Sequence, residues 1–363
     1  MVAMADTRRL VIAMATDATG QVEDIDDPIA YFLDDQRYHG KSERTLEAYE
    51  RVLRQFEAFL GQEFGSVEAI SDADRRACMA WIHSLRGEFE SSTIATYASY
   101  LNRFYDYMNR VGAFEENPMA LVMEELSESI DTNPTRRELS IDEMRSFVAS
   151  ISHPLERAVV VTLLKTGMRV GELCNLDLRD LNADVEAVAL EWTPRVELDR
   201  RPSSVYVSDE PSRGAVTNGE VRTASNKRKR ETVIPVDDEL RTELESWLAI
   251  RPDAVSPAEP LFLDTRDSWG ERLTPSDVRY IVEKHAREHG WYRTGGGTTE
   301  NVTPHYFRHF FTTHLRDRTG DRGTVQYLRG DVAGDVIDTY THNWGDRVRE
   351  TYLDHIYSIS LLE

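Results

Sequence analysis

Apolar residues recur every three or four positions through most of the first third of the chain. In SERTLEAYERVLRQFEAFLG, Leu46, Tyr49, Leu53, Phe56 and Leu60 fall on one face of a helix, and Gly61 reads as its stop. Residues 72–85 predict a second helix. STIATYASYLNRFYDYMNRVG predicts a third, with Ile94, Tyr97, Leu101, Phe104, Tyr105 and Met108 on one side, aromatics that read as core rather than as a platform for stacked bases. An all-helical domain over 28–125 follows. The period then disappears in LSESIDTNPTRREL, polar and proline-bearing, which sets a linker over 126–138.

Beyond the linker, Ser140 and Glu143 have the spacing of a capping box for a helix starting near 141, and a second apolar helix fills 154–166. Residues 184–236 lose helical period. The short runs VEAVAL, SVYV and ETVIPV predict strands there, in a stretch that includes a turn-rich insertion around 184–226. Helices resume over 237–250, 275–289 and 303–318. The fold class is therefore mainly α, with a second domain over 139–363 that adds a small antiparallel sheet. The acidic N-terminus, 1–27, is expected to be flexible.

Hydrophobic residues make up 40% of the 363 positions, enough for a core in each domain. The apolar run LVIAMA at 10–15 is too short to span a membrane, and the acidic EDIDD behind it argues against a secretory signal, so a cytoplasmic protein is expected. Cys78 and Cys174 stand far apart and form no CxxC pair, which argues against a zinc ribbon or a disulfide framework. A formal net charge of −21 taken alone repels nucleic acid. Its distribution changes that picture, because only five lysines (41, 165, 227, 229, 284) stand beside 38 arginines and 64 acidic residues. Scarce lysine on an acidic chain resembles the composition of extreme halophiles, whose saline cytosol screens repulsion to a few ångströms. An ordinary acidic enzyme is the alternative.

Four patches in the second domain carry chemistry. In TPHYFRHFFTTHL, residues 303–315, Thr303 can cap a helix and Pro304 suits its first position. His305, Arg308 and His309 then crowd a helix N-terminus that is already partly positive, an arrangement that calls for an anion among them. In KTGMRVGELCNL a helix ends at Gly167 and Arg169 stands at the following turn, where pairing with Glu172 is the structural reading. In RTASNKRKRETVIPV, residues 222–230 carry five positive charges and no acid, and two of the five lysines lie there. A lysine can serve as a general acid where arginine holds its proton too firmly. The fourth patch, YLRGDVAGDVIDTYTHNW, carries Tyr340. His305 and His309 have the i, i+4 spacing of a zinc pair, but Arg308 between them and no nearby cysteine argue against metal; no cofactor is called for.

Together these patches resemble the catalytic domain of the tyrosine recombinases, the phage integrase and Xer-type family. TGMRVGEL looks like that family's first arginine box, usually written TGxRxxEL, HYFRH like its HxxRH box, and IDTYTH like the segment bearing its nucleophile. Arg308 and Tyr340 stand 32 residues apart, as in compact bacterial members. The resemblance covers about 139–356, and the helical domain at 28–125 is similar to the family's core-binding, SAM-like domain, which together imply the DNA breaking-rejoining enzyme fold. It implies that Arg169 and Arg308 clamp a DNA phosphodiester, that His305 assists, and that Tyr340 is the nucleophile forming a 3′-phosphotyrosyl link. Lys227 falls at the general-acid position counted back from Pro235, with Lys229 the alternative if the hairpin is bulged. It also implies double-stranded DNA as partner, a homodimer on each site and a homotetramer in synapsis. Asp331 departs from the pattern, since the family commonly shows His or Trp nine residues before the tyrosine. Tyr352, on an apparent helix nearby, reads as packing. A type IB topoisomerase, which uses a similar residue set, and a DNA-binding relative without catalysis are the alternatives. The C-terminal YLDHIYSISLLE can dock on a neighbouring subunit or on its own.

Overall fold

The computed structural model describes residues 25–63, 69–129, 135–185, 190–331 and 344–360. The chain divides into two compact units, Met1–Asn133 and Pro134–Glu363. The described helices of the first unit are α1 (Pro28–Tyr38), α2 (Glu43–Glu63), α3 (Arg75–Leu85), α4 (Ser91–Arg110) and α5 (Met119–Glu125). Each presents one apolar stripe to a shared core in which Phe32, Leu53, Phe56, Ile82, Leu101, Phe104 and Tyr105 are fully buried. The α4 aromatics belong to that core, and Phe104 meets Phe32 edge-on with ring centroids 5.6 Å apart. Two helix boundaries differ from expectation. Gly61 does not stop α2, which runs on to Glu63, because glycine without a positive φ only weakens a helix. The second expected helix starts three residues late, at Arg75, where the Asp74 carboxylate accepts the Ala77 N–H at 2.8 Å.

The second unit is built on α7 (Pro154–Thr166), an almost completely buried helix. Around it lie α6 (Ile141–Ser150), α8 (Val170–Cys174), α9 (Asp238–Leu248), α10 (Pro275–Glu288), α11 (Pro304–Thr319), α12 (Arg322–Arg329) and α13 (Trp344–His355). The capping box at α6 forms as read, with the Glu143 N–H on Ser140 Oγ at 3.2 Å and the Ser140 N–H on the Glu143 carboxylate at 2.7 Å. Thr303 occupies the N-cap position of α11, but its side chain makes no capping hydrogen bond. Helix α12 lies where the sequence showed only glycine punctuation. Asp321 caps it through the Thr324 N–H at 3.1 Å, and Gly330 ends it at φ 68°.

A three-stranded antiparallel sheet runs in the order β1 (Leu181–Asn182), β2 (Ser204–Val207), β5 (Thr232–Pro235), with Val205 opposite Leu181 on one side and Ile234 on the other. Between β2 and β5 the insertion carries a hairpin, β3 (Val216–Thr217) and β4 (Glu220–Val221), turned by Asn218 and Gly219, both at positive φ. Most of the VEAVAL run and the first 24 residues, including LVIAMA, lie outside the described residues. The C-terminal segment docks on its own unit. Tyr357 and Ile359 are buried, the Ile359 N–H donates to Glu239 at 2.9 Å, and Lys165 Nζ donates to the Tyr357 carbonyl at 2.7 Å. Among the described residues no helix is long and apolar enough to cross a membrane.

Candidate active site

Helix α7 ends at Gly167, which takes φ 61°, and the chain then turns sharply into α8. Two facts demand glycine there. An L side chain resists that φ, and a Cβ would lie 2.2 Å from the Phe311 ring on α11. The close approach lets the Gly167 carbonyl accept from Arg308 Nη1 at 2.8 Å, so the turn that presents Arg169 also holds Arg308. Arg169 stands at the N-cap of α8, and its N–H donates to Glu172 Oε2 at 2.8 Å while its Nη1 donates to Oε1 at 3.0 Å.

Glu172 is fully buried and has a second cationic partner. Arg228 Nη2 donates to Glu172 Oε2 at 3.1 Å, and Arg228 Nη1 donates to the Leu328 carbonyl at 3.2 Å. In the run Lys227–Arg228–Lys229 the two lysines are exposed and the arginine between them is buried, the alternation of an extended chain. The Lys229 N–H also donates to the Gly330 carbonyl at 3.1 Å. Gly330 packs directly on Arg228, where a Cβ would fall 2.3 Å from Arg228 Cγ. The lysine segment is thereby fixed against the end of α12.

The end of α12 delivers Asp331 to the two arginines. Asp331 Oδ1 accepts from Arg169 Nη2 and from Arg308 Nη2, each at 3.2 Å, and Oδ2 accepts from Arg308 Nη2 at 3.3 Å. Arg308 Nη2 also donates to the Arg329 carbonyl at 3.1 Å. Arg329 forms an ion pair with Asp331, Nε to Oδ2 at 2.9 Å, although that N–H is not aligned for a hydrogen bond. Burial, with Arg169 and Arg329 alongside, pushes the Arg308 guanidinium down to about 9, which leaves it a cation at neutral pH.

His305 sits on the first turn of α11 at the open side of this cluster. The surrounding protein, then Arg136, Arg308, Arg169 and Arg329, hold its pKa below the usual histidine value, so it is neutral at pH 7 and able to donate or accept one hydrogen bond. Arg136 is brought there because the Arg137 carbonyl accepts from Tyr306 Oη at 2.9 Å. Packing around its ring and Arg136 lower His309 as well. Among the described residues no group of three or more His, Cys, Asp or Glu side chains is placed to hold a metal ion.

Of the residues singled out in the sequence, Arg169, Arg308 and Asp331 meet directly, with His305 beside them and Lys227 on the exposed segment anchored to the same helix end. Tyr340 lies outside the described residues. Tyr352 is fully buried, its hydroxyl donates to the Lys165 carbonyl at 2.9 Å, and burial drives its pKa well above the ordinary phenol value. Sequence reasoning missed Arg329 and Arg136, and it counted Arg228 only as part of a basic run. The lysines flanking Arg228 at period two were the one signal available.

The site can therefore do one thing: surround an anion with fixed guanidinium donors beside a neutral imidazole, in a pocket where water is partly excluded. Comparison with known proteins agrees with this chemistry. The model of the phage integrase family matches residues 212–345, and that of the phage integrase N-terminal SAM-like domain matches residues 30–112. Proteins named tyrosine recombinase XerC are similar over nearly the whole chain. That of Pelobacter propionicus is 25% identical over 87% of this chain and 92% of its own. That of Thermodesulfovibrio yellowstonii is 28% identical over 84% and 87%. The fold is shared with the Tn1549 transposon integrase in complex with transposon right end DNA, at TM-score 0.60 and 19% identity, over 86% of this chain and 96% of that one. It is also shared with a lambda integrase dimer bound to a COC′ core site, at TM-score 0.58 and 16% identity, over 89% and 94%.

Proposed function

We propose that this chain, which belongs to the phage integrase family of tyrosine recombinases, is a site-specific DNA recombinase that cuts and rejoins double-stranded DNA through a 3′-phosphotyrosyl intermediate. The observation that carries the reading is the convergence of Arg169 and Arg308, 139 positions apart in sequence, on one carboxylate oxygen at 3.2 Å each. Two guanidinium groups so held suit the non-bridging oxygens of a phosphodiester.

In this reading the Tyr340 hydroxyl loses its proton to water under the field of the two arginines, its oxygen attacks phosphorus in line, the bond from phosphorus to the 5′ oxygen breaks, and Lys227 gives that oxygen its proton; Lys229 is the alternative donor. Charge grows on the five-coordinate phosphorus as the bond forms. Arg169 and Arg308, held by the Glu172 carboxylate and the Gly167 carbonyl, then stabilise it more than they stabilise the ground state. His305 adds a hydrogen bond to the same oxygens. The phosphotyrosyl ester keeps the energy of the broken bond, so rejoining needs no nucleotide.

The helical domain over 28–125 and the catalytic domain over 139–363, joined by the linker at 126–138, act together on DNA. A homodimer occupies each site and two sites form a tetramer in synapsis. The chain works in the cytoplasm of a halophile, where its net charge of −21 is screened.

A nicked duplex bearing a cognate site, with trapped product read on a denaturing gel, tests the assignment. The wild-type chain is expected to give a covalent protein–DNA adduct and Tyr340→Phe none. An adduct that survives in Tyr340→Phe overturns the nucleophile, and no adduct from wild type on any sequence overturns the activity.

A further inference from the structure

Asp331 is a chain-borne anion held by the donors that the proposed reaction needs for DNA. Three guanidinium groups surround its carboxylate: Arg169 and Arg308 at 3.2 Å and Arg329 at 2.9 Å. Two of these contacts exceed the 2.7–2.9 Å usual for hydrogen bonds between full charges. The Arg329 Nε–H is buried and has no aligned acceptor among the described residues. The donors thus enclose more room than a carboxylate fills, and one of them goes unused. Charge points the same way. Among the described residues, the four guanidinium groups of Arg169, Arg228, Arg308 and Arg329 around this seat pair with two carboxylates, those of Glu172 and Asp331.

We propose that Asp331 is an internal stand-in for phosphate, that a phosphate group of the substrate displaces it, and that Arg329 is then the third guanidinium on that phosphate. The inference rests on the reading of the site as a phosphodiester clamp, and it adds a ligand and a competition to it. Displacement needs only a side-chain rotation. The Asp331 backbone stays fixed through its N–H on the Gln326 carbonyl at 3.1 Å, while its side chain is 28% exposed and can turn to water. Arg308, only 3% exposed, stays where the Gly167 carbonyl holds it. The tethered carboxylate keeps the guanidinium groups in place between substrates. Being local, it also outcompetes a simple halide while yielding to a tetrahedral anion that engages all three donors.

The test uses the full chain without DNA and inorganic phosphate as probe, titrated at constant ionic strength in chloride and read by thermal denaturation and calorimetry. Occupancy of the seat by Asp331 above nine-tenths weakens apparent phosphate binding by about tenfold. Asp331→Asn is therefore expected to bind phosphate about tenfold more tightly than wild type and to recover in phosphate any stability lost in chloride. Adding Arg329→Gln to that variant is expected to reverse the gain. Asp331→His, the residue common in the family there, gives a second variant with the same expected gain. Equal phosphate affinity in wild type, Asp331→Asn and Asp331→His overturns the proposal. So does a gain that persists without Arg329, or failure of both single variants to fold even in phosphate. Phosphate binding needs neither a DNA site nor Tyr340, so its outcome is separate from the adduct test of the activity.

Discussion

Arg228 Nη2 donates to Glu172 Oε2 at 3.1 Å, and neither side chain reaches solvent. This buried pair connects the arginine turn at 167–172 to the lysine-bearing segment, and through the Leu328 carbonyl to the end of α12. Breaking one partner of a buried pair leaves an uncompensated charge and costs about 3–5 kcal/mol. Arg228→Ala is expected to lower stability by that amount in denaturant titration. Arg228→Lys will not restore it, because one ammonium cannot make both contacts of a planar fork. Lys227→Ala, one residue away but exposed, is expected to change stability by less than about 0.5 kcal/mol while abolishing strand cleavage.

Gly167 combines a positive φ with a contact that leaves no room for a methyl group. Gly167→Ala is expected to destabilise the chain by about 2 kcal/mol or more, from backbone strain and overpacking together. It would also shift the carbonyl that holds Arg308. Denaturation combined with phosphate affinity separates the two effects, and a variant equal to wild type in both contradicts the account.

Tyr352→Phe removes a hydroxyl buried against the Lys165 carbonyl. The expected cost is about 1–2 kcal/mol, as for a lost buried hydrogen bond, with adduct formation on nicked DNA retained. Tyr340→Phe should do the reverse, keeping stability and losing the adduct. Exchange of these two phenotypes would move the nucleophile to α13.

Acid stability follows from Glu156 and Glu239. Burial pushes both carboxyls up, but His285 and Lys284 hold Glu156 down at about 2, and Lys165, Ser358 and the Ile359 N–H do the same for Glu239. Both values lie below the unfolded glutamate range near about 4.3. The unfolded chain therefore binds more protons between the two, and stability is present in full above that range and lost as pH falls through about 2. Glu156→Gln is expected to reduce stability at neutral pH and to flatten its loss on acidification, measurable by denaturation from pH 6 downward.

Salt dependence tests the halophile reading. An ordinary binder making six to ten phosphate contacts loses most of its affinity between about 50 and 200 mM salt. Here binding of duplex DNA is expected to persist above about 0.5 M salt, in the regime where screening removes the repulsion of the −21 chain. Loss of binding below that concentration would assign the composition to an ordinary acidic enzyme.

Periodicity and local chemistry are short-range properties, so the sequence by itself determined the elements that rest on them. The stripes of α2 and α4, the Ser140–Glu143 box and the arrest of α7 at Gly167 were all legible, while spacing alone left Arg169 open to a structural pairing with Glu172, and only the family resemblance of its box and of HYFRH marked Arg169, Arg308 and His305 as chemistry. Glycine punctuation hid α12, and Gly61 misled because a weak helix former was read as a stop. What only the tertiary structure decided is which charge meets which. No spacing rule brings Arg228 inward between two outward lysines, sets Arg329 beside Asp331, or seats that carboxylate between Arg169 and Arg308. Those pairings arise where the α7 turn, the lysine segment and the end of α12 pack against α11, and long-range packing of that kind has no period to read.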